Sequence, residues 1–159
     1  MTQFWHLAVH YRTFTLIVIG LMLAGLALLT SPRASHDLRV AQVLLRWFLL
    51  CVVGVGFLGV SAQHLLPGES PDPVQFQLGL AAVGVAAVGI VGAWGGVGMR
   101  LAALIAPTVW IVGALVGRAM GQPGLFGPGD LLLPLVGFAL LAWQFRAQRH
   151  RSVFARSRL

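Results

Sequence analysis

Long apolar runs separated by short polar breaks make up most of this chain. Five runs stand out, at residues 14–30, 43–66, 77–97, 101–117 and 131–145. None has the strict alternation of a barrel strand with one face in lipid. A helix that crosses the hydrocarbon core needs about 20 residues, with a range of roughly 17–25. The first four runs fall in that range. The fifth is short, and it extends only if the long stem of Arg146 snorkels.

The breaks are helix-ending by composition. TSPRASHD follows the first run and carries Pro32 among Ser and Asp residues. PGESPDP follows the second and holds three prolines, which no helix interior tolerates. RAMGQPGLFGPGD follows the fourth. Between the third and fourth lies GAWGGVGMR, where the glycine cluster before Met99 and Arg100 predicts a turn rather than one long kinked helix. Pro107 predicts a kink inside the fourth run, its freed carbonyl taken by a neighbour or by Thr108. The pattern therefore predicts an all-α integral membrane fold. Five transmembrane helices form one compact bundle over residues 1–145, followed by a basic tail at 146–159.

Composition strengthens that reading. The chain is 58% hydrophobic and 9% charged, where a soluble domain carries about 25% charged residues. So few charges cannot coat a globule in water. In a bilayer, helices satisfy their own backbone polar groups. Before its first run, MTQFWHLAVHYR has no basic cluster, and no clear cleavage site follows the run, so the run reads as a retained helix. The single Cys51 lies inside an apolar run, cannot form an intrachain disulfide, and reads as a small buried hydrophobe.

Charge then sets an expected orientation. The net charge is +7 and all eleven basic residues are Arg. With five spans and the N-terminus outside, nine of the eleven fall on the cytoplasmic side: Arg33, Arg39, Arg46, Arg100, Arg146, Arg149, Arg151, Arg156 and Arg158. Arg12 and Arg118 stay outside, with Glu69, Asp72 and Asp130. The positive-inside bias predicts this split, hence an N-out/C-in, multi-pass protein of the bacterial inner membrane. Trp5, Tyr11, Trp47, Trp94 and Trp143 fall near the predicted interfaces, as aromatic belts do; Trp110 lies deeper. A basic balance also suits nucleic acid, but these arginines flank membrane runs, so no nucleic-acid partner is expected. The tail arginines Arg146, Arg149, Arg151, Arg156 and Arg158 are read as contacts to anionic headgroups at the cytoplasmic face.

Small residues mark the packing faces. Helices in lipid associate through close approach, which Gly and Ala allow. Ala82, Ala86, Gly89, Ala93 and Gly96 step alternately by four and three along the third run. That stripe predicts a helix near the centre of the bundle. Gly113, Gly117 and Gly121 in the fourth run, Gly56, Gly59 and Gln63 in the second, and Gly20, Ala24 and Ala27 in the first offer similar seams. These seams serve intrachain packing, other membrane subunits or a second copy of the chain.

Groups able to do chemistry are scarce. No Asp, Glu or Lys lies in the middle of a run, which argues against a proton relay, a carboxylate ion path or a Schiff base. A polar collar is predicted at the outer end: Gln63 and His64 close the second run, Gln75 and Gln77 open the third, Arg118 ends the fourth and Asp130 opens the fifth. It suits recognition of a polar headgroup, or plain interfacial capping, with Asp130 as an N-cap and Arg118 at a helix C-terminus. His6 and His10, four apart, share a helix face but make too few ligands for a metal site. Haem needs a deep axial His, and His64 is the sole internal candidate. No metal is expected, the cofactor is unknown, and no catalytic residue is assigned.

The stretches GVGFLGVSAQHLLP, PVQFQLGLAAVGVAAVGIVG, and IVGALVGRAM with GPGDLLLPLVGFALL together resemble DUF6790, a family of small bacterial membrane proteins without an assigned activity. The resemblance covers the second to fifth runs. It implies an acidic residue and an Asn near the start of the third run, where this chain has Gln77 and Ala82. It also implies a His where Arg118 follows Gly117. It supplies no reaction.

Three functional readings remain open at this level. The first is a non-enzymatic accessory or assembly subunit of a membrane complex. The second is a small-molecule or lipid binder or transporter using the outer collar. The third is a haem- or pigment-bearing electron-transfer subunit.

Overall fold

A computed structural model of the chain describes residues 12–30, 37–66, 73–121 and 128–156, with side chains placed for 13–30, 37–66, 73–121 and 129–149. The elements are α1 (Arg12–Leu29), α2 (Asp37–Phe48), a π-helical segment (Leu49–Val55), α3 (Gly56–Leu65), α4 (Pro73–Trp94), α5 (Val97–Ala119), a 3₁₀ turn (Pro128–Leu131) and α6 (Leu132–Arg156). Among the described residues there is no strand. Four helices are long and apolar enough to cross a membrane: Asp37–Leu65, Pro73–Trp94, Val97–Ala119 and Gly129–Arg149. The first apolar helix, Thr13–Leu29, is shorter.

Two helices outrun their apolar cores. The second begins at Asp37 rather than near residue 43, because an acidic residue in the first turn suits the positive end of the helix dipole. The last continues through the basic stretch to Arg156. At the end of α1 the Thr30 hydroxyl donates to the Leu26 and Ala27 carbonyls, at 3.1 and 3.2 Å, and meets acceptors the helix end leaves open.

The centre of the bundle is the rod formed by α2, the π segment and α3, and not α4, which flanks it. Over its most apolar stretch the rod is 56% buried, against 33% for α4. It touches α1, α4, α5 and α6. The π segment explains how one rod serves so many neighbours. Leu45, Leu49, Val53, Phe57 and Ser61 are all buried, as are Phe48, Val52, Gly56 and Val60. That is a repeat of four residues. An α-helix turns about 100° per residue, so a four-residue repeat drifts by about 40° at each step. The i→i+5 bonds of a π-helix wind the chain more slowly, and the drift is largely cancelled.

α4 lies against the rod through small residues. Gly79, Ala82, Ala86, Gly89, Gly92 and Ala93 are its buried positions. A Cβ on Gly89 would stand 2.6 Å from Val53 Cγ1 and 3.0 Å from the Gly54 nitrogen. A Cβ on Gly54 would stand 2.9 Å from Ile90 Cγ1. The two helices thus approach through reciprocal glycines. Gly96 lies outside this stripe. It is exposed, with extended backbone at φ −68° and ψ 178°, and it precedes α5. Gly92, one turn earlier, sits against α5 instead: a Cβ there would meet the Ala103 Cβ at 2.7 Å.

The link between α4 and α5 is a turn of two residues, Gly95 and Gly96. The Gly95 N–H donates to the Val91 and Gly92 carbonyls, and the Arg100 N–H to the Gly96 carbonyl. Inside α5, Pro107 is buried and cannot donate to the Ala103 carbonyl. The Thr108 hydroxyl donates to the next carbonyl, of Leu104, at 2.6 Å. Trp110 meets the core edge-on, 5.9 Å from the Phe57 ring.

Two leucine substitutions on α4 separate packing from helix propensity. Gly89→Leu should destabilise the bundle by an overpacking cost of about 1–3 kcal/mol. Gly84→Leu, at an exposed glycine with open space around it, should leave stability within about 0.5 kcal/mol of wild type. Thermal melts in detergent compare the two, and equal melting would show that Gly89 does not set the packing.

Candidate functional site

The two-residue turn brings the last turn of α4 and the first turn of α5 to one end of the bundle, beside α2 and α6. Arg100 stands in that first turn of α5 and is only 9% exposed. Its Nη1 donates to the Gln144 Oε1 on α6 at 2.8 Å, and its Nη2 reaches back across the turn to the Ala93 carbonyl at 3.5 Å. Its Nε is buried and has no partner. Gln144 is 2% exposed. Arg46, on α2, lays its guanidinium over the Trp94 ring, 4.7 Å from the centroid. Its charge repels that of Arg100.

Each part has a local cause. Gln144 projects inward because α6 packs along α2 and α5. Ala93 and Ala103 are wholly buried and small, which leaves volume for a long side chain between the helices. Arg100 contributes a positive charge near the positive end of the α5 dipole, which is unfavourable. The Ala93 carbonyl, in the last turn of α4, offsets this from the negative end of the neighbouring dipole.

Among the described residues, the anionic partner expected of a buried arginine is not found beside Arg100. There are four acidic residues. Asp37 lies nine residues before Arg46, about 13 Å along the helix at 1.5 Å per residue. Asp130 opens the opposite end of α6, where the Thr13 hydroxyl donates to its Oδ1. Glu69 and Asp72 lie outside the described residues. Among the described residues, no carboxylate reaches Arg100 or Arg46.

The predicted outer collar is placed as follows. Gln63, Gln75, Gln77 and Arg118 are exposed; His64 and Asp130 are half-buried. Asp130 is tied to α1 through Thr13 and sits in the 3₁₀ turn, not directly before an α-helix. His64 lies beside Gly79, where a Cβ would stand 3.2 Å from its own. No hydrogen bond joins Gln63, His64, Gln75, Gln77 and Arg118 to one another among the described residues. A cavity of about 10 Å³, lined by Thr13, Leu16, Val52, Gly56, Phe57, Val60 and Leu133, lies between α1, the rod and α6. It has room for about one water, far below the roughly 300–1,000 Å³ of a ligand pocket.

Of the tail arginines, Arg146 and Arg149 are exposed on α6. Arg151 and Arg156 continue its backbone, with side chains outside the described set, and Arg158 lies outside the described residues. So do His6, His10, Tyr11 and Trp5. Sequence reasoning missed the cluster of Arg46, Trp94, Arg100 and Gln144. The available signal was two polar residues inside apolar segments, Arg100 just after a glycine turn and Gln144 in the last run.

Helices of this length and apolarity, with no strand among the described residues, define an all-helical protein of membrane-spanning type. Within that class the chain belongs to DUF6790, a family of unknown function whose model matches residues 11–150. The match takes in α1 and every residue of the arginine cluster. No curated protein and no solved structure matches the chain.

The Arg100–Gln144 contact makes its own prediction. Gln144→Leu removes the side-chain acceptor and should cost about 1.5–3 kcal/mol, the range for a hydrogen bond to a charged group. Gln144→Glu supplies a carboxylate and should melt at or above wild type. A Glu variant less stable than the Leu variant would show that the guanidinium is already neutralised by other means.

Proposed function

We propose that this protein is a non-enzymatic accessory or assembly subunit of a complex in the bacterial inner membrane, oriented N-out/C-in, and that α5 carries the partner contact. One observation supports this above the others. Val109, Gly113, Val116 and Met120 form an outward stripe on α5, all exposed, and a Cβ on Gly113 would meet nothing within 4 Å. Gly117 extends the small surface one turn further. The comparable stripe on α4 is buried within the chain, so it is not available to a partner. Lipid chains need no glycine, whereas a neighbouring helix gains close approach from one. The orientation draws on the arginines: Arg39, Arg46, Arg100, Arg146 and Arg149 all lie toward the end that holds the α4–α5 turn.

Cross-linking tests the contact. In a Cys51→Ala background, Gly113→Cys should give a cross-linked product in native membranes, with a second subunit or a second copy. Gly113→Leu should reduce co-purification at least about tenfold, the equivalent of 1.4 kcal/mol, with an unchanged melt. A protein that runs as a lone monomer in mild detergent and never cross-links from Gly113 overturns the reading. Orientation is read separately. A C-terminal fluorescent-protein fusion should fluoresce and a C-terminal alkaline phosphatase fusion should be inactive; the reverse pair of results places the tail outside.

A further inference from the structure

We infer that Arg46, Arg100 and Gln144 form a specific binding site for a phosphate group at the membrane surface, carried by a lipid headgroup or by free phosphate. A guanidinium has five N–H groups in a fixed fork. For Arg100, Nη1 is engaged with Gln144 at 2.8 Å. The side-on edge formed by Nε and Nη2 is the one that takes an oxyanion with two parallel hydrogen bonds. Here that edge carries only the 3.5 Å contact to the Ala93 carbonyl, and Nε has no partner.

Gln144 adds to the set. Only its oxygen can face a guanidinium, so its amide N–H groups are left over. Arg46 supplies the second charge. Trp94 holds it through the ring face at 4.7 Å, which leaves the in-plane N–H groups of the guanidinium free. One arginine is at the surface and the other is inside, so an anion meets Arg46 first.

Charge decides what fills the site. Arg100 is buried, the exposed Arg46 adds a second positive charge that acts on it, and among the described residues no carboxylate is in reach of either. A buried arginine is costly without a counter-charge. A bridging oxyanion removes their mutual repulsion and accepts from both. Phosphate has the geometry for bidentate arginine contacts, and the cluster lies toward the helix ends, the level at which headgroup phosphates lie. The site differs from diffuse attraction to the tail arginines, because it depends on the buried Arg100 and Gln144.

Full-length protein in a neutral detergent, stripped of lipid, tests the proposal by thermal melts. Three probes are titrated at matched ionic strength: inorganic phosphate, short-chain phosphatidic acid, and diacylglycerol of the same chains. A ligand that binds only the folded state raises the melting temperature, with the logarithm of its concentration once that exceeds Kd. A rise with phosphatidic acid but not diacylglycerol identifies a lipid headgroup; a rise with inorganic phosphate as well identifies a site open to free phosphate. In either case Arg46→Gln should weaken the response at least about tenfold. Gln144→Glu, which places an internal carboxylate on Arg100, should abolish it while the protein stays folded. Arg146→Gln in the tail should leave it unchanged. The proposal is overturned if neither phosphate probe shifts the melt, if chloride at equal ionic strength does the same, or if Gln144→Glu responds like wild type.

Discussion

A Cβ on Gly89 would stand 2.6 Å from Val53 Cγ1, and that clearance governs where the other helices go. In lipid there is no gain from removing apolar surface from water, so contact area has to come from proximity. The reciprocal glycines of the rod and α4 supply it. Once α4 lies that close, the two-residue turn at Gly95 and Gly96 fixes the start of α5, and Gly92 sits against Ala103. α5 then packs on α6, where Gly137 has no room for a side chain beside Leu104 and Phe48. Each helix is placed by the one before it.

Two polar ties hold α6, one just before its start and one at its middle. At the first the Thr13 hydroxyl bonds to Asp130 and joins α6 to α1. At the second, Arg100 bonds to Gln144 and joins α6 to α5. Between them the contacts are apolar and carry little directional information. The two ties therefore select a register that the leucines and valines alone would leave loosely specified. They differ in charge balance. Asp130 is met by a neutral hydroxyl among its partners, while Arg100 has a neutral amide and a carbonyl and keeps its charge.

Much of the fold was legible in the sequence. Proline-bearing breaks and the glycine turn separate the same five apolar stretches that the structure describes as helices. The start at Asp37 was not legible, since it is helical for reasons of dipole that hydropathy ignores. Nor was the identity of the central helix. A membrane helix is apolar all round, so Leu45, Val53 and Phe57 look no more buried than Leu58, which is 44% exposed. Small residues show which faces approach a neighbour, as along Ala82, Ala86 and Gly89, but not which neighbour, and Gly96 shares their spacing only because the helix ends two residues before it. The arginine cluster stayed hidden for a related reason. Arg100 reads as a loop charge until the brevity of the turn is known, and Gln144 has no neighbour in sequence that marks it as buried.

Counted in residues, the chain has two stretches where length is a mechanical quantity. The π segment offsets an angular drift, and the link between α4 and α5 is two residues long. One residue gained or lost in a helix rotates everything beyond it by about 100° and moves it by about 1.5 Å. At the π segment, that would turn Gly56, Phe57 and Val60 away from the faces they now share with Leu45 and Leu49. At the turn, it would swing Arg100 off Gln144. The bundle is in this sense gauged by residue number as much as by residue type.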